Sequence, residues 1–99
     1  MRVRITLTEA NPDILWTHGE VLNVSIAGHP NVSLAEAMLK KGTVFVAQPG
    51  LHAYRFLIKG DGAMRMQAFD ADSNNALAPG VAFDTKEAHG GFTYVFSVS

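Results

Sequence analysis

The chain has no cysteine, which excludes disulfides, thiolate metal centres and a cysteine nucleophile, so its stability must come from packing. Charge is scarce too, 17% of residues against roughly 25% in an average soluble protein. The two signs almost cancel, eight Lys and Arg against nine Asp and Glu, for a net charge of −1. Such a balance sets up no field that would gather nucleic acid or anionic lipid, and neither is expected as a partner. Long apolar runs are missing: nothing approaches the roughly 18 residues of a membrane span. The start, Met1-Arg2-Val3-Arg4-Ile5-Thr6-Leu7-Thr8, alternates where a signal peptide needs an unbroken apolar stretch. A cytoplasmic location is the expectation for the chain as given, and a secreted one if it is a domain cut from a longer protein.

What is present is enough for one core. Ninety-nine residues, 47% of them hydrophobic, suit a single domain spanning residues 1–99 and are too few for two independent cores. The dominant pattern has a period of two, which sends alternate side chains to opposite faces of a strand. Val3, Ile5 and Leu7 alternate with Arg2, Arg4, Thr6 and Thr8. Leu22, Val24 and Ile26 alternate with Asn23 and Ser25, with Val21 out of phase. Residues 43–47, Thr-Val-Phe-Val-Ala, are apolar on both faces and read as a central strand. Tyr54, Phe56 and Ile58, then Met64, Met66 and Ala68, form two alternating runs around Gly60-Asp61-Gly62. Asp-Gly accepts the positive φ angles of a tight type I′ turn, so this segment reads as a β-hairpin. Val81-Ala82-Phe83 is a shorter strand. Phe92, Tyr94, Phe96 and Val98 make an aromatic face on the last one.

One segment departs from this rhythm. Ser33-Leu-Ala-Glu36 has capping-box spacing, the following residues place Leu34 with Met38 and Ala35 with Leu39 at i,i+4, and Gly42 suits a left-handed C-terminal position. A short helix near 34–41 is expected, with residues 9–19, 28–32 and 71–80 as loops. Six to seven short strands and one helix predict an all-β protein, an antiparallel β-sandwich, with a small β-barrel as the alternative. The turn-and-strand cadence of Lys41–Ile58 resembles jelly-roll domains.

Candidate chemistry is sparse. Asp70-Ala-Asp72-Ser-Asn74 has the alternating oxygens of a calcium loop, but Asn75 and Val81 stand where an EF-hand needs Gly and Glu, leaving either a Ca2+ site or a self-bonded loop. His18, His29, His52 and His89 are irregularly spaced. Gln48-Pro-Gly-Leu-His52 resembles the second half-motif of cupins without its partner His-x-His, and a metal enzyme would use His52 and His89 with a carboxylate. Glu9, Asp13 and Glu20 surround Trp16 and His18, an acid/base set only if they converge. Arg55, Lys59 and Arg65 would join Arg2 and Arg4 in a basic stripe if their strands adjoined. Trp16, the sole tryptophan, either plugs one end of the sandwich or meets a ligand.

No Gly-x-Ser-x-Gly elbow or phosphate loop is present. The expectation is therefore a non-enzymatic binding or interaction module, with candidate contacts at Trp16, His18, His52 and Tyr54. A protein partner, small ligand or sugar is expected, and a homodimer formed through an edge strand such as 2–8 or 92–99. The alternatives are a cupin-like metal enzyme and a carbohydrate- or calcium-binding sandwich.

Overall fold

Alternating apolar residues can be buried on one side only if strands assemble into sheets that face each other, and the chain does this. The computed structural model describes residues 1–9, 15–34, 36–59, 63–84 and 89–99. Its elements are β1 (Arg2–Glu9), β2 (Leu15–Asn23), β3 (Val32–Ser33), α1 (Glu36–Lys40), β4 (Val44–Val46), β5 (Gly50–Lys59), β6 (Ala63–Asp70), β7 (Val81–Asp84) and β8 (His89–Val98). One sheet has the order β4-β1-β6-β7 and the other β3-β2-β5-β8, with every pairing antiparallel. Among the described residues each four-stranded sheet has two edge strands, the arrangement of an all-β sandwich.

The core lies between the layers and draws on both: Val3, Ile5, Met64, Met66 and Ala68 from the first sheet meet Val21, Tyr54, Phe56, Tyr94 and Phe96 from the second. Burying a side chain such as Ile5 contributes roughly 1.5–3 kcal/mol. Two tyrosine hydroxyls lie inside and each has work to do. The Tyr94 hydroxyl accepts from the Ala68 amide at 3.0 Å and donates to the Pro79 carbonyl at 3.2 Å, tying β8 to the opposite sheet. The Tyr54 hydroxyl donates to the Leu34 carbonyl at 2.7 Å. It occupies the space a side chain at position 19 would need, since a Cβ on Gly19 would fall 2.1 Å from it.

The helix is shorter than its signals suggest, and Ser33 belongs to β3. Its C-terminus closes as expected: Gly42 takes φ +70°, its amide donates to Leu39 O, and the Thr43 amide donates to Met38 O. These two bonds are a Schellman closure. The helix packs on β1 and β2, one strand from each sheet.

Several expectations are corrected. Eight strands are found among the described residues, because the two-residue β3 is too short to leave a periodic signal. The strands around Gly60-Asp61-Gly62 exist but do not pair with each other; the turn itself lies outside the described residues. Both hydrogen-bonding sides of β5 are taken by β2 and β8, and both sides of β6 by β1 and β7. Local turn chemistry is outweighed by these long pairings, ten register pairs for β5 with β8 alone. Residues 43–47 form no central strand: β4 is a three-residue edge, with Val44 and Val46 exposed. Residues 2–8 are not the outer strand of their sheet: β1 sits between β4 and β6, with β4 covering Arg2–Arg4.

The first half of β2 lies within residues 9–19, where the sequence pattern predicts a loop. It pairs with β5 through an irregularity between Trp16 and His18, and an inserted residue of this kind masks the alternation. Beyond it Val21, not Leu22, faces the core, and Val24 and Ile26 are exposed. The strand stops at Asn23, whose Oδ1 accepts from the Ser25 and Ile26 amides and turns the chain away.

Candidate functional site

The two outer faces differ in how far the chain itself satisfies them. On β1, Arg2 donates to Asp72 Oδ1 at 2.6 Å. Arg4 donates to Asn74 Oδ1 and lies 5.4 Å from the centre of the Phe69 ring. The candidate calcium loop is thus engaged internally: Asp72 and Asn74 meet guanidinium groups, and Asp70 Oδ1 accepts from the Asp72 and Ser73 amides. Those amide bonds hold the Asp70 carboxyl below its ordinary pKa.

The histidines are dispersed. His52 is buried, its ring stacks on Phe96 at 5.3 Å, and its Nε2–H donates to the Gln48 carbonyl at 2.8 Å. His89 stands opposite Lys59, seven residues along β5 from His52. At about 3.4 Å per residue the two backbones are ~24 Å apart, beyond any shared ion. His29 Nδ1 lies 3.0 Å from the Pro30 carbonyl. With Asn23 and His52, His29 lines a cavity of about 10 Å³, the size of one water. Asn23 Nδ2 is buried with no hydrogen-bond partner among the described residues. Among those residues no group of three His, Cys, Asp or Glu side chains is placed to hold a metal.

Tyr54, a candidate contact, is fully buried. Trp16 and His18 lie in β2 opposite Ile58 and Leu57, with side chains outside the described set. Glu20 faces Arg55, so it stands on the outer face, while the side chain of Glu9 and the whole of Asp13 lie outside the described residues. The basic residues do not form one stripe: Arg2, Arg4 and Arg65 belong to one sheet and Arg55 to the other.

Sequence reasoning missed the outer face of β3-β2-β5-β8. Glu20, Arg55 and Thr93 form one row across three strands, and His18, Leu57 and Gly91 form the next. Because Gly91 adds no side chain beside Leu57, a cleft of about 330 Å³ opens there, lined by Glu20, Arg55, Leu57, Gly91 and Thr93. Phe56 and Phe92 contribute from the core side. Neither Arg55 nor Glu20 is held in an ion pair among the described residues. The available signal was the alternation itself, read for its polar partners instead of its apolar ones.

The edges differ as sharply as the faces. β3, β4 and β7 have two, three and four residues, whereas β8 has ten. No Asp, Glu, Lys, Arg or Pro lies in β8. Among the described residues, no backbone hydrogen bond reaches its side away from β5.

No protein-family model, curated protein or solved structure matches the chain.

Proposed function

We propose that the protein is a non-enzymatic interaction module that works by strand addition at β8, and that the strand added is β8 of a second copy. The observation that carries this reading is the contrast among the four edges. Short edges deny a neighbour enough hydrogen bonds to pair, and charge or proline deters pairing on long ones. β8 has neither protection over ten residues.

Its pattern suits a copy of itself. In an antiparallel pair about a twofold axis, residues of the same face meet. Phe92, Tyr94, Phe96 and Val98 would then continue the aromatic layer, and Thr93, Val95 and Ser97 would meet on the outside without like charges. The product is one continuous eight-stranded sheet across two protomers.

Amide hydrogen exchange over a dilution series tests this. The β8 amides that point away from β5 are expected to be protected at high concentration and to lose protection on dilution. Fast exchange of those amides at every concentration would contradict the proposal.

A further inference from the structure

Independently of the edge, we propose that the cleft on the outer face of β2, β5 and β8 is a small-ligand site whose ligand is a neutral, hydroxyl-rich ring, the chemistry of a monosaccharide unit. At about 330 Å³ it lies at the low end of ligand pockets, which run from roughly 300 to 1,000 Å³. That volume suits a single small ring better than a long chain.

The lining selects the class. Arg55 offers N–H donors, Glu20 carboxylate acceptors, and the Thr93 hydroxyl either role. One positive and one negative group side by side favour no net charge: an anion drawn to Arg55 is repelled by Glu20, and a cation meets the reverse. A ring hydroxyl both donates and accepts, so it satisfies the two groups together without losing the hydration of a full charge. Leu57 is half exposed at 52% and gives the C–H face of such a ring an apolar surface beside the polar row.

The hollow depends on Gly91. A Cβ placed there would meet only Leu57 Cδ2, at 3.6 Å, and its backbone is not in the left-handed region. A larger side chain can therefore fill the cleft without straining the strand, which allows a clean test.

The experiment is a ¹H–¹⁵N titration of the whole chain with methyl glucoside, methyl galactoside, N-acetylglucosamine, cellobiose and lactose, with acetate and glycine as ionic comparators. At least one saccharide is expected to shift the amides of Arg55, Leu57, Gly91 and Thr93. Gly91→Leu is expected to weaken that binding at least about tenfold, and Arg55→Gln by about tenfold, the loss of one good hydrogen bond. Should Gly91→Leu not fold, the exposed Arg55→Gln substitution carries the test. The proposal is overturned if no saccharide shifts these amides, if acetate or glycine shifts them instead, or if a folded variant binds as tightly as the parent.

Discussion

The sheets β4-β1-β6-β7 and β3-β2-β5-β8 share one core and treat their surroundings differently. In the first, Arg2 and Arg4 are engaged by the Asp72–Asn74 loop, and both edge strands are short. The second leaves Arg55 and Glu20 without ion-pair partners among the described residues and ends in the long, uncharged β8, while apolar side chains are exposed on both, Val44, Val46 and Val81 on the first and Leu51, Leu57 and Val95 on the second. The first sheet reads as scaffold and the second as the working surface, an inference from what each leaves unsatisfied.

The largest effects should come from residues that both sheets need equally. Phe96→Ala is expected to cost roughly 3–5 kcal/mol and Ile5→Ala roughly 2–5 kcal/mol in urea unfolding. Leu57→Ala, on the outer face, should stay within about 0.5 kcal/mol. A large loss at Leu57 would break the comparison, because that face would then be structural.

Next comes Gly19→Ala, whose Cβ collides with the Tyr54 hydroxyl, a strain of roughly 1–3 kcal/mol. The same Cβ would also fall 2.6 and 2.9 Å from the ring carbons Cζ and Cε1, so Tyr54→Leu, which removes ring and hydroxyl together, should make the double variant lose less than the sum of the singles. Simple additivity in the measured unfolding free energies would show that the collision is not the cause.

Tyr94 joins the sheets, and Tyr94→Phe leaves the Ala68 amide and Pro79 carbonyl without it, for about 1–3 kcal/mol. Burial raises the Tyr94 pKa above 10.0, opposed in part by the hydrogen bond from the Ala68 amide. A raised phenol pKa favours the neutral form in the fold. Its contribution is therefore complete below pH 10 and lost as the pH climbs further. Chemical unfolding measured from pH 9 upward should show a decline that Tyr94→Phe reduces.

The smallest effect is at Asp70, on the satisfied side. Its pKa is lowered by the Asp72 and Ser73 amides, so its contribution is present above pH 3.8 and disappears as the pH falls through the folded value. Asp70→Asn should flatten that part of an acid-unfolding curve by lowering stability slightly at neutral pH, where the carboxylate contributes, and leaving it closer to the parent's at low pH.

How legible this was depended on the range of each interaction. The inward faces of β1, β5, β6 and β8 could be read because alternation is local. The partners of those strands could not. Nothing near Gly60-Asp61-Gly62 shows that β5 and β6 have all their sides occupied by strands far away in sequence, such as β1, where Val3 pairs with Asp70. The irregularity at Trp16/His18 concealed half of β2 for a related reason, because one inserted residue inverts the phase that carries the signal. At the candidate site, His52 and Tyr54 attracted notice by residue type, yet both are buried. The cleft arises from cross-strand register, which places Glu20, Arg55 and Thr93 in one row, and from an absent side chain at Gly91. Neither register nor absence has a local signature.

The central claim, that β8 pairs with β8 of a second copy, is tested most directly by mass from light scattering across a concentration series, for the parent chain and for Val95→Lys. The parent is expected to reach twice its 10.7 kDa chain mass. The variant, which places a lysine on the outer side of the pairing strand, is expected to remain at 10.7 kDa while keeping its fold by circular dichroism. A parent that stays at the single-chain mass at every concentration, or a folded Val95→Lys that associates as the parent does, would contradict it.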